Sequence, residues 1–235
     1  MMQLDQVTKK YLVRKAVNRC TLTIEPGRII GLIGENGSGK TTILKLLAGL
    51  LRPTKGKVLI DSKKVNRSIS EKLAYLTDMD YFYPYFTIVE LIDFYHSQFK
   101  DFDKNRALEI ADFMKLNIKQ KTKHLSKGNL SRVKIAVTLS RKASYIVLDE
   151  PFSGLDPMVR KSIIKGIINF VDLQKQTLIV TTHEVSEVEP ILDEVVLLKE
   201  GMIIAHKSID EIREEYGMDV VDWMERVHES TEVYV

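Results

Sequence analysis

The chain has 235 residues, of which 44% are hydrophobic and 29% are charged, and its formal net charge is +3. This composition is ordinary for a globular protein, and the length suffices for one domain or for one domain with an inserted subdomain. The small net charge gives no argument for nucleic-acid binding. Because Cys20 is the only cysteine, an internal disulfide and a cysteine metal cluster are excluded, and a reducing compartment is expected.

The sequence shows no membrane-directed segment. Met1–Asp5 does not begin an apolar signal region, and no apolar run reaches the ~18 residues of a membrane span. If the protein works at a membrane, we expect a separate chain to cross it.

The N-terminal quarter predicts strands followed by a glycine-rich loop and a helix. Apolar and polar residues alternate at Gln3–Val7 and Cys20–Ile24, as in half-buried strands. A short apolar strand is predicted at Ile29–Ile33, and the apolar spacing of Thr42–Leu50 predicts a helix. Residues 34–41, G-E-N-G-S-G-K-T, lie between these two elements.

This loop matches the phosphate-binding pattern G-x-x-x-x-G-K-T in its strand–loop–helix context. Backbone N–H groups cradle phosphate only where no side chain intrudes, and the N-terminus of the following helix favours an anion. Lys40 is expected to neutralise the β- and γ-phosphates of a nucleotide, and the Thr41 hydroxyl to ligate Mg²⁺. The candidate nucleotide-binding residues are Gly34, Glu35, Asn36, Gly37, Ser38, Gly39, Lys40, Thr41 and Thr42.

The middle of the chain changes from strands to helices. A strand is predicted at Leu73–Leu76. Thr87 and Glu90 form a T-x-x-E capping box at the start of a helix, and Asp103 opens another. Residues 81–141 are therefore expected to be mostly helical.

The C-terminal half returns to strands. Buried strands are predicted at Ser144–Leu148 and Thr177–Thr181, and Asp156 followed by proline predicts a helix start. A hairpin is expected over residues 194–205, and residues from Met218 onward have the pattern of a further amphipathic helix.

Strands that alternate with helices indicate an α/β fold with a mainly parallel sheet. We expect antiparallel strands from both ends of the chain at its edge. The predicted organisation is an α/β P-loop core from residues 1–80 and 142–216, a helical subdomain from residues 81–141, and a tail from residues 217–235.

Two carboxylates follow the predicted strand that ends at Leu148. Asp149 and Glu150 would lie at the carboxyl end of this strand, where α/β sheets bind ligands. Asp149 is expected to hold Mg²⁺, directly or through water, and Glu150 to act as general base toward an attacking water. The alternative, an exposed acidic strand end, is disfavoured by the phosphate loop upstream.

Together these motifs resemble the ATP-binding cassette (ABC) ATPase family. The resemblance extends from Tyr11 to about Tyr216. It depends on motifs that occur in the family's order and spacing, namely residues 34–41, 125–129 (L-S-K-G-N), 149–151 (D-E-P), 153–156 (S-G-L-D) and His183.

The resemblance implies roles for further residues. Tyr11 would stack on adenine, Asp156 would communicate across a dimer, and His183 would contact the γ-phosphate and the attacking water. Ser126 and Gly128 would supply a hydroxyl and an N–H to ATP held by the opposite subunit. A strand-edge aromatic remains the alternative for Tyr11, a helix cap is compatible with the role of Asp156, and a structural histidine is the alternative for His183.

Two positions depart from the family pattern. Lys127 and Asn129 stand where glycine and glutamine are usual, and Lys127 either adds charge near the partner's phosphate or faces solvent. Asp78 stands where the family has a glutamine after a strand such as 74–77. Since aspartate offers a charged oxygen to Mg²⁺, Asp78 either ligates the ion or lies outside the site.

A finer resemblance is to bacterial ABC subunits that work with separate membrane subunits in exporters of drugs, antibiotics or amphipathic peptides. It implies an ATP hydrolase that uses ATP and Mg²⁺, forms a homodimer or heterodimer, binds separate transmembrane permease subunits at the cytoplasmic face of the membrane, and binds no nucleic acid. We expect part of Tyr81–Phe86 to line the groove for a membrane-subunit helix, unless these aromatics pack within the helical region.

Two other functions are considered. A soluble ABC-type ATPase that acts on nucleic acid or ribosomes would usually carry tandem cassettes, a coiled-coil insertion or a zinc module, which the sequence lacks. A nucleotide-gated binding module that hydrolyses poorly is disfavoured by Glu150 and His183.

Overall fold

The computed structural model describes residues 1–77 and 82–232. In this part of the chain the strands are β1 (Met2–Tyr11), β2 (Arg14–Ile24), β3 (Ile29–Ile33), β4 (Lys55–Ile60), β5 (Lys63–Lys64), β6 (Leu73–Leu76), β7 (Tyr145–Leu148), β8 (Thr177–Thr182), β9 (Glu194–Lys199) and β10 (Met202–Ser208). The helices are α1 (Lys40–Leu47), α2 (Ile88–Gln98), α3 (Lys104–Phe113), α4 (Lys127–Leu139), α5 (Pro157–Phe170), α6 (Ile209–Glu211) and α7 (Val220–Glu232). None of the helices in residues 1–77 and 82–232 combines the length and apolar character that a membrane crossing requires.

A six-stranded sheet lies at the centre, in the order β10-β9-β3-β8-β7-β6. The strands from β9 to β6 are parallel, and β10 pairs antiparallel with β9 at one edge. Every residue of β3, β7 and β8 is buried, because both faces of the sheet are covered. The predicted α/β fold with a mainly parallel sheet is confirmed.

Alternate residues of the central strands point to opposite faces of this sheet. On β7, Ile146 and Leu148 pack with residues of α2, α3, α4 and α5. Tyr145 and Val147 pack on the other face with α1 and the N-terminal strands. The carboxyl ends of β3, β8 and β7 therefore meet at one edge between two hydrophobic layers.

The N-terminal strands form a sheet of their own, in the order β2-β1-β4-β5 and fully antiparallel. β10 supplies the antiparallel edge that the sequence predicts, whereas β1 and β2 do not join the central sheet. Leu4 pairs with both Leu22 and Val58. All three belong to the hydrophobic cluster that contains the buried side chains of α1, so the apolar face of this second sheet covers that helix.

The predicted helix starts in the middle of the chain are confirmed. The Thr87 hydroxyl accepts from the N–H of Glu90 at 3.3 Å, and the Glu90 carboxylate accepts from the N–H of Thr87 at 2.7 Å. The Asp103 carboxylate caps α3 by accepting from the N–H of Arg106 at 3.1 Å. This hydrogen bond and the nearby Lys142 ammonium lower the pKa of Asp103.

The aromatic segment at the start of this helical region divides between core and surface. Phe82 and Phe86 pack against the core, whereas Tyr83 is 53% and Tyr85 71% exposed. Tyr81 lies outside the described residues. The alternative of packing within the helical region therefore holds for the two phenylalanines, and the expectation of a groove for a membrane-subunit helix stays a prediction.

Within the C-terminal tail, residues 220–232 form the predicted helix, α7, which is docked on the core. Val220 and Trp223 are 0% and 2% exposed and belong to the same hydrophobic cluster as Val185 and Val188. The predicted apolar positions Val221, Met224 and Val227 are partly buried beside them. α7 packs against the 3-10 turn that directly follows His183 and Glu184.

Replacing Trp223 tests whether α7 contributes to the stability of the core. We expect Trp223→Ala to lower the free energy of unfolding by about 3–5 kcal/mol, because it leaves a large cavity in a buried cluster. Glu225→Ala, on the exposed side of the same helix, is the control and should change it by less than about 0.5 kcal/mol. Chemical denaturation followed by far-UV circular dichroism measures both. Equal stability of the two variants would contradict the docking of α7.

Candidate active site

The glycine-rich loop follows β3 and turns into α1 at the edge of the central sheet. Gly34 has φ +154° and Gly39 has φ +110°, a region that residues with a Cβ rarely adopt. A Cβ on Gly34 would overlap the carbonyl oxygen of Leu198 in β9, and a Cβ on Gly39 would overlap that of Ala16 in β2. The neighbouring backbone alone thus requires glycine at both positions.

Lys40 lies inside this loop and is 5% exposed. Its ammonium donates to the carbonyl oxygens of Gly34 at 2.6 Å and Glu35 at 3.1 Å. The same nitrogen lies 3.3 Å from Oε1 of Glu150. The loop therefore curls around its own lysine and holds the positive charge beside a carboxylate.

Asp149 is fully buried at the carboxyl end of β7. Its Oδ1 accepts from the hydroxyls of Thr41 at 3.0 Å and Thr181 at 3.1 Å, and its Oδ2 accepts from the Tyr75 hydroxyl at 2.9 Å. Burial of a carboxylate is costly unless it is hydrogen-bonded. Hydroxyl groups from α1, β6 and β8 supply these bonds.

Glu150 has φ +47°, an uncommon backbone conformation for a residue other than glycine. Its N–H donates to the Thr181 hydroxyl at 2.8 Å, which fixes this turn against β8. Nδ1 of His183 lies 2.9 Å from its Oε2, while Lys40 faces its Oε1. The Glu150 carboxylate is thus held between the phosphate-loop lysine and the histidine after β8.

A cavity of about 510 Å³ brings most of the predicted binding residues together. Arg14 joins them, and its guanidinium also donates to the carbonyl oxygen of Gly37 at 3.2 Å. Tyr11 also lines the cavity and is 45% exposed. The Lys9 ammonium lies 5.3 Å from the centroid of its ring. The lining residues are Tyr11, Arg14, Ala16, Asn36, Gly37, Gly39, Lys40, Thr41, Thr42 and Glu150.

The other predicted site residues that the structure describes do not line this cavity, namely Gly34, Glu35, Ser38, Ser126, Gly128, Asp149, Asp156 and His183. Ser126 caps α4, where its hydroxyl accepts from the N–H of Asn129 at 3.2 Å. Gly128 lies so close to α5 that a Cβ would come within 2.9 Å of Val159. Asp156 caps α5 by accepting from the N–H groups of Met158 and Val159 at 3.1 and 3.0 Å. The predicted cap is therefore confirmed.

Lys127 is exposed, and the end of its side chain approaches Gly154 of the same chain. Its ammonium lies over Gly154, in the position that a Cβ on this glycine would occupy. Lys127 also lines a second cavity, of about 230 Å³, with Glu150 and Ser153. This lysine thus links the start of α4 to the loop between Glu150 and Asp156.

Sequence reasoning missed Tyr75, Thr181 and Arg14. A weak signal exists for Thr181, because hydroxyl residues end a strand whose carboxyl end meets Asp149. No local signal marks Tyr75 or Arg14, since their partners are distant in sequence. The candidate metal ligand Asp78 lies outside the described residues.

The comparison with known families agrees with this geometry. The sequence model of the family described as "ABC transporter" matches residues 17–153, more than half of the chain. The chain belongs to the ABC transporter family. The expectation of an ABC ATPase cassette is confirmed by this match.

Known ABC proteins resemble the chain over most of its length. An uncharacterized ABC transporter ATP-binding protein of Nostoc sp. is 36% identical over 82% of this chain and 60% of its own length. The Bacillus subtilis protein YcbN, with the same description, is 32% identical over 91% of this chain and 71% of its own. The chain thus spans less than two thirds of the Nostoc protein.

A solved ABC structure has the same fold. An ATP-binding cassette solved as a dimer in a post-hydrolysis state, bound to ADP and phosphate, is 25% identical with a TM-score of 0.79, and the match covers 88% of this chain and 98% of that one. Another, an ATP-binding subunit of an ABC transporter, has a TM-score of 0.84 at 21% identity and covers 97% and 99%.

Alanine at Gly39 tests the conformation of the phosphate loop. We expect Gly39→Ala to cost more than about 2 kcal/mol of stability and to abolish nucleotide binding, because it combines a strained φ with overlap on rigid backbone. Gly37→Ala is the matched control. Its φ of +84° is also strained, but its Cβ would meet only the end of the long Arg14 side chain, at 3.3 Å, rather than backbone. Thermal denaturation and titration with a fluorescent nucleotide measure the difference, and equal losses in both variants would refute it.

Proposed function

We propose that this chain is the ATP-hydrolysing subunit of an ABC transporter, and that it drives transport through separate membrane subunits. The observation that supports this most is the meeting of Lys40, Thr41, Asp149, Glu150 and His183 at the carboxyl edge of one sheet. The contact between Thr41 and Asp149 at 3.0 Å links the phosphate loop to the end of β7. The contact between Glu150 and His183 at 2.9 Å links the end of β7 to the end of β8.

The loop and the cavity fit a nucleoside triphosphate with a divalent cation. Ser38 Oγ is buried without a hydrogen-bond partner among the described residues, and a phosphate oxygen would satisfy it. Lys40 would neutralise the β- and γ-phosphates, and Tyr11 would stack on the adenine. ATP is the nucleotide that the family's cassette takes.

Thr41 and Asp149 would hold Mg²⁺, since hydroxyl and carboxylate oxygens are the ligands it prefers. When bound, the ion would supply charge neutralisation at the phosphates. Thr41 already donates to Asp149, so its oxygen lone pairs remain available for a cation while its proton is held by the carboxylate. Asp78 would be a further oxygen ligand.

Glu150 would take the proton of the water that attacks the γ-phosphate. Its Oε1 is buried without a hydrogen bond among the described residues, although Lys40 lies 3.3 Å away. A triphosphate would compete for that lysine and leave the carboxylate as a base. His183, bound to Oε2, would orient it and face the γ-phosphate.

Glu150→Gln tests the base. We expect the variant to bind ATP but to lose about 10²–10⁴-fold in turnover, because the amide cannot accept the proton. It should also accumulate a dimer with ATP, measured by size-exclusion chromatography with light scattering. Glu194→Gln is the matched control, since Glu194 accepts from the His206 ring at 2.8 Å in the same way but lies away from the phosphate loop. Phosphate release by Glu150→Gln at the unmodified rate would remove Glu150 from this role.

The active unit would be a dimer with two shared ATP sites. Ser126 and Gly128 do not line the cavity that contains Lys40, so they would serve the ATP held by the other subunit. Each ATP would then contact both subunits and favour the closed dimer, and hydrolysis would remove these contacts. Asp156, between α5 and the loop after Glu150, would transmit the change across the interface.

Mixing two inactive variants tests this sharing. Lys40→Ala lacks the phosphate-loop charge and Gly128→Glu blocks the start of α4, so each homodimer should be inactive. A mixed dimer contains one intact shared site, and an equimolar mixture should recover up to about a quarter of the unmodified activity. The malachite green phosphate assay measures it. Activity of the mixture equal to the sum of the two variants would contradict shared sites, provided light scattering shows that mixed dimers form.

The helical region over residues 81–141 would connect this cycle to membrane subunits, and the core over residues 1–80 and 142–216 would hold the nucleotide. The exposed Tyr83 and Tyr85 offer amphipathic contact area for a helix of a membrane subunit. The protein would work at the cytoplasmic face of the membrane. The resemblance to subunits of bacterial exporters supports export as the direction of transport. The tail over residues 217–235 would stabilise the core.

A further inference from the structure

The Tyr75 hydroxyl makes a contact that no motif of the family match accounts for. It donates to Oδ2 of Asp149 at 2.9 Å, while Oδ1 accepts from Thr41 and Thr181. Tyr75 is half-buried, and its ring packs against the hydrophobic cluster on the α1 side of the sheet. The Tyr75 hydroxyl therefore binds one oxygen of the buried Asp149 carboxylate, and the two threonine hydroxyls bind the other.

The strand register explains why Tyr75 reaches Asp149. Tyr75 pairs with Val147 in the parallel ladder between β6 and β7. Because side chains alternate, Tyr75, Val147 and Asp149 share the face that α1 covers. The N–H of Asp149 also donates to the carbonyl oxygen of Leu76 at 3.0 Å. Backbone and side-chain bonds thus tie Asp149 to β6 at adjacent residues.

Two oxygen atoms held from different directions fix the rotation of the Asp149 carboxylate about its Cβ–Cγ bond. Because the carboxylate is rigid and planar, the Tyr75 hydrogen bond to Oδ2 resists this rotation together with the bonds that Thr41 and Thr181 make to Oδ1. With Tyr75 on Oδ2, Oδ1 stays directed at Thr41, the second candidate ligand of Mg²⁺. Partners of this kind orient metal ligands, and their loss commonly weakens metal binding.

We infer that Tyr75 is a positioning residue for the divalent-cation site. It orients the Asp149 carboxylate and so ties metal binding to β6, the strand that leads through Thr77 toward the helical region. This inference rests on the proposed function, in which Thr41 and Asp149 hold the ion. In this inference Tyr75 acts through Asp149 and is not itself a ligand of the cation.

The test removes only the hydroxyl, in the full chain with Glu150→Gln to stop turnover. Mn²⁺ binding to the ATP-loaded protein is titrated by electron paramagnetic resonance. We expect Tyr75→Phe to weaken Mn²⁺ binding about 10-fold or more, while metal-free ATP binding, measured in EDTA, stays unchanged. In the chain with Glu150 intact, the Mg²⁺ concentration for half-maximal turnover should rise, with an unchanged KM for ATP at saturating Mg²⁺.

Tyr145→Phe is the matched control. It removes a phenol hydroxyl from the neighbouring strand β7, where the partner is Asp61 at 2.6 Å rather than Asp149. Its Mn²⁺ affinity should equal that of the parent. Parent-like Mn²⁺ affinity in Tyr75→Phe, or an equal loss in both variants, overturns the inference. A loss of metal-free ATP binding in Tyr75→Phe also overturns it. A parent protein that binds no ATP instead overturns the proposed function, which separates the two failures.

Discussion

A completely buried carboxylate, shared by three hydroxyl groups, fixes the arrangement of the whole nucleotide end of this molecule. Asp149 accepts from Thr41 of α1, Tyr75 of β6 and Thr181 of β8. Burying a carboxylate away from water costs much free energy unless hydrogen-bond donors of this kind are in place. Asp149 consequently holds together the phosphate loop, strand β6 and strand β8.

The backbone around this point is under constraint as well. Gly34 and Gly39 approach β9 and β2 too closely for a side chain, and Glu150 keeps a positive φ. Strained conformations of this kind persist where the surroundings over-determine them, and they cluster at functional sites. Here the Thr181 hydroxyl, which accepts from Glu150 and donates to Asp149, connects the strained turn to the buried carboxylate.

Much of the fold and of the site follows from local sequence. Some features depend only on residues that are neighbours in sequence and can therefore be predicted from local patterns. They are the phosphate loop, the strand before Asp149 and the caps at Thr87, Asp103 and Asp156. The separate N-terminal sheet was not predictable in the same way, because alternation indicates a strand but not its partners. Tyr75 is 74 residues from Asp149, and only the β6–β7 register brings them together. The approach of the Lys127 ammonium to Gly154 likewise depends on how α4 packs.

The docking of α7 has a spectroscopic consequence. Trp223 is the only tryptophan of the chain, and it shares a hydrophobic cluster with Val185 and Val188, which closely follow His183. Its fluorescence is therefore an intrinsic reporter of the segment behind that histidine. Rearrangement there during a catalytic cycle would be visible in the unlabelled protein as a change in emission wavelength or quenching.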